Sequence, residues 1–280
     1  MKIAIIRADR MGDMILTLPI IKAIKEINTS IDIDIYASKK NKKILKEFSY
    51  IDKIYDFGIL KTNTQKYDCI LNFTPGWKSL FLIFFLKSSL KGNLILTSRY
   101  NNKIYSKFLI IIFSKIFFNK TLVVNRKQRF NNNQQLHQTN LMFELLDLCK
   151  ISYSKNIEVE RYLPQYKKIT SNKKICLIHL SSKWINDFYS EVDFLNLLLK
   201  LKRNFQIAMT TDETTKDKFN LIFKKFKIIG NTNFDQFNSI KDTTIFDNLD
   251  FNNWTQIIYS STLVITPECG CTHIASICKI

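Results

Sequence analysis

Short apolar runs of strand length recur along this chain, and each is followed by a stretch of helical period. KIAII (2–6) opens the series, and IDIDIYA, KIYDF, YDCILNF and LILTS continue it. After a polar interval it starts again with KKICLIHL (173–180), FQIAMTT, KIIG and TTIFDN, and it closes on TLVITPECGCTHIASICKI. Strands alternating with helices favour parallel sheets covered on both faces, because a parallel pair needs a crossover connection. Two such series predict an α/β chain of two Rossmann-like domains, residues 1–160 and 161–280, facing a cleft. The link falls in 150–172, which is polar, contains Pro164 and has no clear periodicity.

In sheets of this kind, ligands bind beyond the carboxyl ends of the strands, where the chain turns into helices. That rule selects three places: RADRMGDMILTLP (7–19), Ser181–Ser182–Lys183, and the run from Pro267 to Cys271. In the first, Met14, Ile15, Leu18, Ile21 and Ile24 recur at helical spacing and predict a helix over about 12–27. Pro19 bends that helix or ends its first section. Asp13 has two readings: a carboxylate in the cleft that takes up a proton, or a cap on the helix. Further helices are expected around 78–90, 101–118 and 137–149. Asp32 and Asp34 form an Asp-x-Asp, but strand alternation sets both on one face, as solvated carboxylates rather than a metal site.

Charge narrows the choice of partners. The net charge is +18; residues 1–165 carry 27 basic and 13 acidic residues, against 15 and 11 in residues 166–280. No Asp or Glu occurs between Asp68 and Glu144, a stretch that holds eleven Lys and Arg residues. A face of this kind attracts phosphates. Within it, SLFLIFFLK and FLIIIFSKIFF are too short and too Lys-interrupted to span a bilayer, which takes about 20 apolar residues. They read as core helices or as helices dipping into a headgroup layer. Their Phe residues sit among Ile and Leu rather than along a basic groove, so the phosphates are expected to be those of anionic lipid, not nucleic acid. The apolar run before Arg7 is only IAII, so no signal peptide is expected, and six scattered Cys suit a reducing cytoplasm. Cys269, Cys271, His273 and Cys278 lack the paired spacing of a zinc site, so no metal is expected.

IIRADRMGDMILTLPIIKAIKE, IHLSSKW, TTDET and ITPECGCTHIASICK, with YDCILNF and the HQTN helix in the same order, resemble the ADP-heptose:lipopolysaccharide heptosyltransferases, glycosyltransferase family nine. The resemblance implies the GT-B architecture and inverting transfer of heptose from ADP-heptose to the lipopolysaccharide inner core. The enzyme would work without a cofactor, on the cytoplasmic face of the inner membrane. It also implies that Asp13 is the general base, with Arg10 and Gly12 on the acceptor side in the first domain. The second domain would hold the donor. There Ser181, Ser182 and Lys183 would meet the diphosphate, and Glu213 (or Asp212, one residue away in register) the ribose hydroxyls. Glu268, Cys269, Gly270 and His273 would surround the phosphate. PECGCTH departs from the more usual Asp-Thr-Gly-x-Thr/Ser-His: Glu268 stands for Asp, and Cys269 lacks the hydroxyl of Thr. Family members continue past the position of Lys279, so the second domain is expected to be incomplete at its C-terminus. Two other readings stay open: a different nucleotide-sugar transferase of surface polysaccharide synthesis, and an inactive relic that binds only lipid or nucleotide.

Overall fold

Ile3, Ala4, Ile5 and Ile6 are fully buried because strand β1 (Lys2–Arg7) has neighbours on both sides and helices on both faces. The computed structural model describes residues 1–58, 65–74, 76–100, 104–125, 137–156, 163, 166–211, 215–230, 234, 239–240, 243–267 and 269–280. The chain divides into two units, Met1–Tyr162 and Leu163–Ile280.

In the first unit, β1 is followed by α1 (Met11–Ile15), α2 (Leu18–Ile27), β2 (Asp32–Ala37), α3 (Lys39–Leu45), β3 (Lys53–Asp56) and β4 (Lys66–Asn72). Then come α4 (Trp77–Phe84), β5 (Lys87–Leu96), α5 (Ile104–Phe117), β6 (Lys120–Val124) and α6 (Gln138–Leu148). The six strands pair in parallel in the order β3-β2-β1-β4-β5-β6. Successive strands run outward from β1 through β2 and β3, and the chain then crosses back to place β4 on the other side of β1. The order therefore reverses between β1 and β4, and a crevice opens at such a point beyond the strand ends.

Three local outcomes refine the sequence reading. The helix expected over 12–27 is two helices. Thr17 turns its hydroxyl back to the Asp13 carbonyl at 2.9 Å, and Pro19 falls in the first turn of α2, where its missing N–H breaks no helical bond. The helix expected to reach residue 90 ends at Phe84. Lys91 Nζ donates to the carbonyls of Ile83 at 3.1 Å and Phe84 at 3.3 Å, closing the helix end, and Lys87 already begins β5. The pair Asp32 and Asp34 is not solvated as a pair: Asp32 is exposed, but Asp34 is buried. Asp34 meets Lys2 at 3.4 Å and the Tyr67 hydroxyl at 3.0 Å. Burial first, and then the Tyr36 and Asp34 contacts, push the Tyr67 phenol above its ordinary range.

The second unit contains β7 (Thr170–Ser171), β8 (Ile175–His179), a π-helical turn (Trp184–Phe188), α7 (Glu191–Leu201), β9 (Gln206–Thr211), α8 (Asn220–Lys225) and β10 (Lys227–Gly230). It continues through β11 (Ser239–Ile240), β12 (Thr244–Asp247), α9 (Phe251–Ser260), β13 (Leu263–Ile265) and α10 (Gly270–Ile277). Its main sheet is parallel, in the order β10-β12-β9-β8-β13, and β7 pairs with β11 beside it. Ser190 and Asp250 cap α7 and α9 by accepting from Asp193 N–H at 3.2 Å and Asn253 N–H at 2.8 Å. Phe194, Leu198, Phe219 and Ile222 from α7, α8 and the approach to α8 pack with Ile178, Ile207, Met209 and Ile245 of the sheet. Among the described residues, no helix is long and apolar enough to cross a membrane.

Candidate active site

Arg7 ends β1 with a fully buried guanidinium. A charge in such a place needs partners, and the chain supplies them from the turn that follows. Arg7 Nη2 lies 3.1 Å from Asp13 Oδ1, and Arg7 Nε lies 3.2 Å from Asp9 Oδ1. Nε also donates to the Asp13 carbonyl at 3.1 Å, and Nη1 donates to the Phe73 carbonyl at the end of β4. Gln138, the first residue of α6, completes the cluster. With its amide oriented to satisfy both neighbours, it accepts from Arg7 at 2.6 Å and donates to Asp13 Oδ1 at 3.2 Å. The adjoining Thr139 hydroxyl reaches the Leu16 carbonyl at 3.4 Å. The Asp13 carboxylate is thus held in one orientation by groups from β1 and α6, at the carboxyl end of the sheet.

This arrangement bears on the choice between base and cap. Asp13 is the third residue of α1, and the N-cap position belongs to Arg10, whose side chain makes no cap hydrogen bond. Asp13 is about one-eighth exposed, Arg10 is on the surface, and Gly12 is buried within α1.

Beside the cluster, a cavity of about 450 Å³ opens at the point where strand order reverses. Its polar lining includes Asp9, Ser38, Asp56, Thr74 and Lys78, with Phe57 as an aromatic wall. Thr74 joins the two sides, accepting from Ala8 N–H at 2.7 Å and donating to the Ile6 carbonyl at 3.3 Å. Gly76, at φ +138°, makes the turn from β4 into α4 in a backbone region that L residues avoid. Carboxylates, hydroxyls and a lysine around an open cavity suit a hydroxyl-rich ligand.

In the second unit the expected donor residues follow three adjacent strands, β9, β8 and β13. Ser181 and Ser182 are half-buried after β8, and Lys183 is exposed. Ser181 accepts from Trp184 N–H through its carbonyl at 2.9 Å, and the Trp184 indole donates to the His179 carbonyl at 2.8 Å. His179 in turn contacts the Thr210 hydroxyl on β9 at 3.0 Å. After β13, Cys269 caps α10: its N–H donates to the Thr272 hydroxyl at 3.4 Å, and its sulfur lies 3.1 Å from the Thr266 hydroxyl. Gly270 begins the helix, and His273 sits half-buried at its fourth position. Asp212, Glu213 and Glu268 lie outside the described residues.

Among the described residues, no group of three or more His, Cys, Asp or Glu side chains is placed to hold a metal ion. Burial pushes the Cys278 thiol up to about 11, and burial with the Cys269 neighbour pushes Cys271 higher still, so both thiols are protonated near neutral pH. Three participants escaped the sequence reading: Arg7, Gln138 and the Thr266–Thr272 hydroxyl pair. For Arg7 the signal was present, as a charged residue closing a fully apolar strand with acids two and six positions on.

No family model matches the chain. It is 27% identical over 222 residues to lipopolysaccharide heptosyltransferase 1 of Campylobacter coli, a match that covers 72% of this chain and 60% of the relative. The chain is thus similar in sequence to a lipopolysaccharide heptosyltransferase. Solved structures agree on the fold. Escherichia coli heptosyltransferase WaaC, determined with ADP, superposes at a TM-score of 0.68 with 12% identity, over 99% of this chain and 84% of that one. The glycosyl transferase family 9 protein of Veillonella parvula gives 0.66 with 11% identity, over 100% and 78%. The fold of this chain is therefore the two-domain α/β fold of these structures, and its match spans less than two thirds of the curated relative's length.

Proposed function

We propose that the chain is a glycosyltransferase that moves heptose from ADP-heptose to the inner core of lipopolysaccharide, inverting the anomeric centre. The observation that carries this reading is the clamped Asp13 carboxylate, fixed by Arg7 and Gln138 next to a polar cavity in the first unit. An acceptor sugar in that cavity offers its hydroxyls to Asp9, Asp56 and Ser38 and an acidic group to Lys78. Asp13 takes the proton of the attacking hydroxyl as its oxygen bonds to the anomeric carbon. The bond from that carbon to the diphosphate oxygen breaks, and ADP leaves. Arg10 and Gly12 stand on the acceptor side of this step.

In the second unit the donor diphosphate is met by Ser181, Ser182 and Lys183 and by the first-turn N–H groups of α10, which have no partner within the helix. Lys183 supplies a cation as charge grows on the leaving phosphate. Glu213 or Asp212 binds the ribose, and Glu268, Cys269, Gly270 and His273 shape the phosphate turn. Thr272 and Thr266 place hydroxyls there, in the region where Cys269 supplies none. No metal or cofactor enters this scheme. The acceptor is a membrane glycolipid, so the enzyme works on the cytoplasmic face of the inner membrane, in peripheral contact with anionic lipid.

The test is transfer by the purified chain from a panel of nucleotide sugars to an inner-core acceptor. Heptose transfer from ADP-heptose with inversion supports the proposal. Transfer from another donor makes the chain a different surface-polysaccharide transferase. ADP-heptose binding without transfer makes it the relic.

A further inference from the structure

Helix α5 is apolar on the wrong side. Its solvent face carries Tyr105, Phe108, Leu109, Ile112 and Ile116, at positions that return every three or four residues, with Tyr105 88% and Phe108 66% exposed. The opposite face turns Ser114 fully inward, where its hydroxyl receives Asn93 Nδ2 at 3.0 Å. Helix α4 repeats the pattern with Trp77, Phe81, Phe84 and Phe85 exposed. The two helices lie together: Trp77 meets Phe113 at 5.6 Å between ring centroids and Phe84 meets Phe117 at 5.0 Å, while the Trp77 indole donates to Ser106 at 2.9 Å. Their outer faces form one aromatic and aliphatic surface. Water is a poor neighbour for so many large side chains in one place.

Charge identifies the occupant. Lys87 follows α4, and Lys115 and Lys120 are exposed at the end of α5. The segment that carries both helices has no acidic residue from position 69 to 143. An apolar face edged by cations and free of carboxylates in its own segment complements a layer of anionic headgroups over hydrocarbon. It does not suit a protein partner, which would meet unopposed lysines. With 14 residues, α5 is too short to span that layer.

We propose that the α4–α5 face is the membrane-docking surface of this chain, lying in the headgroup layer of an anionic bilayer with Phe81, Phe85, Phe108 and Ile116 inserted. Its purpose rests on the proposed glycolipid acceptor, but its physics does not, so the test uses vesicles without acceptor or donor. The full chain should sediment with phosphatidylethanolamine–phosphatidylglycerol vesicles, less as salt rises, and only weakly with phosphatidylcholine vesicles. Phe108→Ser with Ile116→Ser should weaken binding by roughly tenfold or more, and Phe81→Ser with Phe85→Ser should do so independently. Lys115→Gln with Lys120→Gln should flatten the salt dependence. Transfer to a detergent-dispersed acceptor should be unchanged in the Phe108–Ile116 variant, which separates failed docking from failed chemistry. Absence of binding by the native chain, or binding that survives both apolar pairs, overturns the proposal. So does a dimer, seen by light scattering, that the same substitutions dissociate in a chain that ignores vesicles.

Discussion

Arg7 has two carboxylates, two carbonyls and an amide as partners, and its substitution should cost more than that of any one of them. Arg7→Met leaves Asp9 and Asp13 facing each other without their cation, at a cost of about 3–5 kcal/mol. Asp13→Asn keeps an oxygen for Arg7 and leaves Asp9 in place, so it should cost about 1–3 kcal/mol. Urea unfolding of the two variants measures the difference, and equal losses would mean that Asp9 contributes nothing to holding the guanidinium. The same Asp13→Asn variant should lose transfer by roughly 10²-fold or more while ADP-heptose still binds, whereas Lys183→Ala should chiefly weaken donor binding. Full transfer by Asp13→Asn would move the base elsewhere. Asp13 could be singled out from the sequence because the turn around it is local. Its clamp could not, since Gln138 lies 125 positions away and only the packing of α6 against α2, β5 and β6 brings it there.

Between elements, the tightest joint tested by a single atom is β5 against the end of α6. A Cβ at Gly92 would stand 2.6 Å from Cys149 Sγ and 3.3 Å from Leu71 Cδ2. Gly92→Ala should therefore cost about 1–3 kcal/mol, and adding Cys149→Ala should recover most of that loss. Simple additivity of the two changes in a double-mutant cycle would show that the strand had shifted instead. Apolar strands such as β1 and β4 were readable because a covered parallel strand is one apolar run. The start of β5, KSSLK, was not: its residues are polar where the strand end is exposed, and the preceding run of Phe, Leu and Ile invites the helix to continue. Asp34 misled for a related reason. Alternation marks one face as polar, but both faces of β2 are covered, and the partners that make this tolerable, Lys2 and Tyr67, come from other strands.

For the whole molecule, a nucleotide that binds only the folded second unit must raise its stability by mass action, by about 2.7 kcal/mol at a hundredfold excess over Kd. ADP should accordingly raise the melting temperature of the native chain and of Asp13→Asn alike, and raise that of Lys183→Ala much less. A rise of equal size in all three would place the nucleotide away from Lys183. The strand pairings carry a different consequence, for the order of synthesis. Every described pairing is parallel, so each joins residues brought together through a crossover; Ile3 lies beside Cys69. Contacts of this range form slowly, and a contiguous N-terminal unit folds while the rest is still being translated. Strand β1 leaves the ribosome before β4 and waits for β4 to flank it. Asp13 must wait longer, until residue 138 has emerged. The Asp13 carboxylate is made long before the last of the groups that hold it in place.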